Sequence, residues 1–169
     1  MKTSDAGIAL IRRFEGFSGK PYICPAGYVT VGYGHVVLKG EDFSGGVTVD
    51  QAVALLKKDI TAAERSVARL IRAPLLQPHF DALVSFTYNL GGGALQRSSL
   101  RRKINRADFA AALPEFEKWV YAGGRKLKGL ISRRRAEAQL FDLGNRARES
   151  NIAFIITTQK ELYNGIRSR

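Results

Sequence analysis

Apolar positions near the start of the chain recur at helical spacing. Ile8, Ile11 and Phe14 fall three residues apart and lay one apolar stripe along a helix that Ser4 caps and Asp5 opens. Glu15 then falls at or just past the C-terminal end of that helix. From Gly16 to Gly46 the texture changes, because glycines and prolines cut the chain into short segments such as Tyr28–Val31 and His35–Leu38. This region predicts a small, turn-rich β-sheet.

The helical period returns at Thr48, an N-cap followed by Asp50 and Gln51 in the first turn. Ala52, Leu55, Leu56, Ala63, Val67, Leu70 and Ile71 then predict one helix of about 24 residues, ~36 Å long, which Pro74 ends. Beyond it everything reads helical. Phe80, Leu83, Val84 and Tyr88 share one face, and further helices are predicted near Ser98–Arg106, Asp108–Val120 and Leu130–Leu143, broken at the Gly91–Gly93 and Gly123–Gly124 turns. Ile152–Thr158 is β-branched enough for a strand and Gln159–Ile166 suits a turn or two of helix; no role attaches to either. The predicted class is α+β, with a β-rich segment 16–47, a connecting helix 48–72, helical segments 4–15 and 73–144, and a C-terminal extension 145–169.

Charge and cysteine usage narrow the function. Lys and Arg outnumber Asp and Glu by 27 to 15, so the surface field favours an acidic partner: nucleic acid, anionic lipid, or a bacterial wall with its carboxylates and phosphates. Cys24 is the single cysteine, which excludes an internal disulfide and a cysteine-based metal site. The first apolar run, Gly7 to Ile11, is cut by Arg12-Arg13 and is too short for a secretory core or a membrane span. Arg101-Arg102-Lys103 and Arg133-Arg134-Arg135 read as solvated helix faces before they read as a nucleic-acid footprint. Gly91–Gly93 lacks the Lys-Ser/Thr of a phosphate loop and suits a helix C-cap.

One constellation carries chemistry. Glu15, at a helix end, is followed nine positions later by the thiol of Cys24 and fifteen positions later by the hydroxyl of Thr30. A hairpin starting directly after Glu15 folds those positions back toward it across a groove narrow enough for a saccharide chain. Phe14-Glu15-Gly16-Phe17, Lys20-Pro21-Tyr22-Ile23-Cys24 and Val29-Thr30-Val31-Gly32-Tyr33-Gly34-His35 resemble the active-site signature of glycoside hydrolase family 24, the phage lysozymes and endolysins. Phe86-Thr87-Tyr88-Asn89-Leu90-Gly91 is similar to that family's central helix. Gly129-Leu130, Arg133-Arg134, Glu137 and Leu140-Phe141 are similar to its late helix, so the resemblance spans roughly residues 4 to 144.

The resemblance implies a lysozyme-like fold, with a β-rich lobe and a larger helical lobe flanking a cleft that holds peptidoglycan. It implies a muramidase that cuts the β-1,4 bond between N-acetylmuramic acid and N-acetylglucosamine, with inversion and without metal or organic cofactor. Carried over by position, Glu15 is the general acid, Cys24 stands where Asp is commoner, and Thr30 helps to hold the attacking water. Tyr33 and Asn89 border the substrate, Arg133 orients Glu15, and His35 pairs with Asp59 as a structural contact.

Glycoside cleavage needs a carboxyl that donates a proton to a poor leaving group while cationic charge develops at the anomeric carbon. Burial against Phe14 and Phe17 serves that need by desolvation, and Arg133 opposes it. The thiol of Cys24 leaves three roles open: orienting water, acting as a weak base, or standing by while Glu15 and Thr30 carry the reaction. The resemblance further implies a monomer made without a signal peptide, released to the wall through a holin lesion as an endolysin for host lysis. A non-catalytic wall binder and a basic nucleic-acid binder are the alternatives.

Overall fold

The computed structural model describes residues 1–24 and 26–167, with side chains as far as Phe154. Helix α1 (Asp5–Glu15) starts where the Ser4 hydroxyl accepts from the Gly7 N–H, and it buries Gly7, Ile8 and Ile11. Arg12 and Arg13 sit in its last turn, where their charge suits the helix dipole. Gly16, at φ 73°, turns the chain out of the helix through a backbone conformation that side chains other than glycine's resist.

The chain then forms an antiparallel sheet in the order β1 (Ser18–Ile23), β2 (Val29–Gly32), β3 (His35–Val36). Tyr22 pairs with Thr30 and Val31 with His35. Thr48 and Gln51 close a reciprocal capping box that starts the next helix.

That helix is not the single rod its apolar period predicts. It is divided into α2 (Val49–Asp59) and α3 (Thr61–Leu70), with Ile60 between them at ψ −12°. The Thr61 hydroxyl donates to the Lys57 carbonyl at 3.2 Å, the back-bonding that bends helices by competing with the backbone ladder. Apolar spacing survives the break because Ile60 stays in the core, 1% exposed, so periodicity alone does not reveal it.

Helix α4 (Gln77–Leu90) is the hub of the larger lobe. It is buried continuously from His79 to Thr87 and packs on α1, α3 and α8. The His79 ring fixes both ends of its own surroundings: Nδ1 accepts from the Leu76 N–H at 3.2 Å and Nε2 meets the Asn145 side-chain oxygen at 3.0 Å. Helices α5 (Gly92–Arg97), α6 (Ser99–Asn105) and α7 (Phe109–Phe116) follow, and Phe86 takes Phe116 and Trp119 edge-on.

Two further departures concern the region expected to be purely helical and the extension. Tyr121–Ala122 and Arg125–Lys126 form a two-stranded hairpin, β4–β5, because Gly123 and Gly124 both adopt positive φ and reverse the chain in two residues. Helix α8 (Lys128–Arg167) continues through Ile152–Thr158, where the β-branched run suggests a strand. Local β-propensity yields here to propagation from an already formed helix, in which each added residue gains a hydrogen bond without a new nucleation cost.

Candidate active site

Glu15 is the last residue of α1, and its position is fixed from the far end of the chain. Arg133 Nη1 donates to Glu15 Oε1 at 2.6 Å, with the Arg133 side chain 4% exposed and the Glu15 side chain 24% exposed. Arg133 is itself held, since its Nη2 donates to the Ser85 carbonyl at 3.3 Å and its Nε to Glu137 Oε1 at 3.2 Å. Ser85 Oγ donates to the same Glu137 oxygen at 2.7 Å.

Arg134 lies 3.2 Å from the other Glu137 oxygen, and its Nη2 donates to Asn89 Oδ1 at 2.7 Å. Burial pushes the Glu137 carboxyl up and outweighs the Arg134 and Arg133 charges and the Ser85 and Arg133 hydrogen bonds that pull it down, so the net direction is up. The two hydrogen bonds at Oε1 both come from donors and the Arg134 guanidinium lies beside Oε2 without a hydrogen bond to it, an arrangement that suits the carboxylate. Burial brings Arg134 down to about 10, which leaves it a cation at neutral pH.

Phe14, Glu15, Asn89, Leu127, Leu130 and Arg133 line a groove of about 320 Å³. The hairpin crosses it closely: a Cβ placed on Gly34 would stand 4.0 Å from Glu15 Oε2. Phe14 flanks the groove with the Arg133 guanidinium 5.7 Å from its ring centre. Phe17, which the sequence places with Phe14 against Glu15, is not among the residues lining that groove. It is 45% exposed and packs against Tyr33 instead, with ring centres 5.4 Å apart.

The second pair forms on the sheet. Thr30 is buried on β2, and its hydroxyl lies 3.1 Å from the Tyr28 carbonyl, to which it donates. Cys24 opens a tight turn in which its N–H donates to the Tyr28 carbonyl at 2.9 Å and its carbonyl accepts from the Gly27 N–H at 2.8 Å. That turn aims donors at sulfur. The Tyr28 N–H is the largest influence that brings the thiol below its ordinary value, with lesser help from the N–H groups of Ala26 and Gly27, against desolvation. The chain links this pair to Glu15, because β1 leaves from the end of α1 and β2 returns to the turn at Tyr33-Gly34.

The remaining residues singled out in the sequence fall into different places. His35 is buried and lies between two carboxylates: Nδ1 is 3.0 Å from Asp59 Oδ2 and Nε2 is 2.9 Å from Glu41 Oε2. Desolvation lowers its pKa, but the hydrogen bonds and charges of Glu41 and Asp59 outweigh it and the net direction is up. Asn89 is at the groove, whereas Tyr33 is 6% exposed in the core beneath the Arg12 guanidinium, 5.0 Å away.

Sequence reasoning missed the parts played by Ser85, Glu41 and the Arg134–Asn89 contact. The spacing of Arg133, Arg134 and Glu137, at i, i+1 and i+4 on one helix, was the available signal for a cluster on a single face.

The sequence model of phage lysozyme matches residues 12–137, three quarters of the chain and every residue of the groove. The chain belongs to the phage lysozyme family. It is therefore grouped with lysozyme-type glycoside hydrolases. Among relatives, it is 39% identical over 146 residues to an endolysin of Acyrthosiphon pisum secondary endosymbiont phage 1, covering 84% of this chain and 99% of that protein. It is 40% identical over 148 residues to the endolysin of Bacillus phage PZA, covering 85% of this chain; here the chain spans only 56% of the relative's length. The muramidase domain of SpmX from Asticaccaulis excentricus superimposes with a TM-score of 0.75 at 35% identity, covering 83% of this chain and 97% of that domain. The lysozyme-like α+β architecture is thus shared across the matched region.

Proposed function

We propose that this chain is an endolysin that hydrolyses the β-1,4 bond between N-acetylmuramic acid and N-acetylglucosamine in peptidoglycan, with Glu15 as general acid. The observation that carries the reading is a partly buried carboxyl at a groove, held by a guanidinium that is itself fixed by the Ser85–Glu137 cluster. Such support keeps the Glu15 oxygens in one place while a sugar strand arrives.

In this reading Glu15, in its acid form, gives its proton to the glycosidic oxygen as the bond to the anomeric carbon breaks. A water held near Cys24 and Thr30 attacks that carbon from the opposite face, which inverts its configuration. In this reading the Cys24 sulfur, whose thiol is lowered from its ordinary value, accepts a hydrogen bond from the attacking water. Asn89 borders the strand, and the His35–Asp59 contact holds β3 to the end of α2.

The excess of basic residues suits an anionic wall, and in this reading the protein reaches the wall through a holin lesion. Among the described residues no helix is long and apolar enough to cross a membrane. Clearing of a peptidoglycan suspension by the parent protein, and its loss in Glu15→Gln with an unchanged circular dichroism spectrum, tests the reading. Equal clearing by both proteins would overturn the role of Glu15, and absence of clearing by the parent would overturn the activity.

A further inference from the structure

Exposed arginines gather on the large lobe where α3, α5 and α6 meet. Arg65 and Arg69 stand one turn apart on the outer face of α3, opposite its buried Ala63, Val67 and Leu70, and Arg72 follows the end of that helix. Arg97 ends α5, Arg102 lies on α6 and Arg106 is the C-cap of α6. Two contacts draw these segments together. The Asn105 side chain donates to the Leu70 carbonyl at 2.9 Å and accepts from the Arg72 N–H at 2.7 Å, which clasps the end of α6 to the end of α3. Arg102 Nη1 donates to the Arg97 carbonyl at 3.2 Å, which ties α6 to the end of α5.

We propose that this face binds a phosphodiester polymer of the bacterial wall, a polyol-phosphate chain, and so holds the protein on the wall beside the strand it cuts. The choice of a wall polymer rests on the reading of Glu15 given above; the anion-binding character of the face does not.

Three observations support it. The first is that no carboxylate neutralises the face. Between positions 65 and 107 the sequence holds one acidic residue, Asp81, which is buried and accepts from Ser4 and Gln77. At the edges, Glu64 is taken by Lys2 and Thr3, Glu115 by Lys103 and Lys118, and Asp108 turns to the start of α7, where it accepts from the Ala111 N–H. Among the described residues none of these exposed arginines forms an ion pair, so their potentials add.

The second observation is the residue type. The face is built from arginine, and Lys103, the one lysine between positions 65 and 107, is engaged by Glu115. A planar guanidinium meets two phosphate oxygens at once, which an ammonium does not. The third is the lack of apolar surface: among the described residues no large hydrophobic side chain is exposed between Val49 and Tyr121. The face therefore offers no aromatic platform on which bases stack and no apolar wedge for a bilayer. A polymer met through its phosphates alone fits it.

The test measures binding, which needs no cleavage. The parent, the fourfold variant Arg65→Gln, Arg69→Gln, Arg102→Gln, Arg106→Gln, and a control that removes four charges elsewhere, Lys20→Gln, Lys39→Gln, Lys58→Gln, Arg125→Gln, are titrated with poly(glycerol phosphate) at several salt concentrations. The arginine variant should bind at least about tenfold more weakly, with the slope of log affinity against log salt reduced by about 3, and the control should change by less than about threefold. Equal losses in the two variants would reduce the effect to net charge and overturn the inference, as would absence of binding by the parent. Tighter binding of duplex DNA or of anionic phospholipid vesicles at equal phosphate concentration, with the same dependence on the four arginines, would assign the face to those partners and overturn it too. Should the fourfold variant have a lowered urea midpoint, the four single variants decide: each should weaken binding about twofold, and no change in any of them overturns the inference. Binding that persists in a parent unable to clear a wall would sink the reading of Glu15 and leave the face intact.

Discussion

The two sides of the proposed reaction centre are built in opposite ways. Glu15 is positioned by charges taken out of water: Arg133, Arg134 and Glu137 are 3%, 0% and 0% exposed, and each depends on the others for partners. Cys24 is positioned by backbone, at the open end of a hairpin, through N–H groups that any residue in that turn supplies. The difference teaches that the acid side tolerates almost no change at its supporting residues, whereas the water side has freedom in the identity of the group that accepts. In the proposed reading a thiol can serve here because the turn, not the side chain, provides the donors.

The largest effect that bears on this contrast is expected from Glu15→Gln, which should lower wall clearing by on the order of 10³-fold while leaving the unfolding midpoint in urea unchanged. Removing the support rather than the acid should act on folding. Glu137→Ala leaves two buried guanidiniums without their carboxylate and should destabilise the protein by about 3–5 kcal/mol, read from urea denaturation. A loss below about 1 kcal/mol would show that the cluster is not the rigid side of the comparison.

On the open side, Cys24→Asp should keep or improve clearing and Cys24→Ala should lower it by about tenfold or less. The thiol's lowered pKa means that its alkylation rate rises with pH around a midpoint below 9, and alkylation should inhibit clearing. A rate in Cys24→Ala equal to that of the parent would remove the sulfur from the mechanism.

The smallest effect belongs to His35. Its folded pKa is raised, so its contribution to stability is complete below the unfolded value of ~6.5 and is lost as pH rises through the higher folded value. The contribution should amount to less than about 1 kcal/mol. Thermal unfolding of the parent and His35→Gln across pH 5 to 9 should show the two curves converging at the alkaline end.

Much of this arrangement was legible before any coordinates. The caps at Ser4 and Thr48, the turn-rich sheet and the buried face of α4 follow from local chemistry, and the contact of His35 with Asp59 came from the family pattern. The break at Ile60 was hidden because an apolar period runs through it, and the hairpin at Gly123-Gly124 is too short to change composition. Glu41 escaped notice because its contact with His35 spans a loop, where no periodicity reports which side chains meet. The Glu137 cluster could be placed on one helix face, but its partners Ser85 and Asn89 are about fifty residues away in sequence. Contacts of that range depend on how α4 and α8 cross, which side-chain spacing within either helix does not specify.

The division of the connector at Ile60 bears on how a net-like polymer is gripped. A strand inside a cross-linked sacculus offers no free end to thread, so it has to be admitted sideways. Two short helices meeting at Ile60 confine the connector's change of course to one step of the ladder, where an unbroken rod of the same length would have to curve along its whole course.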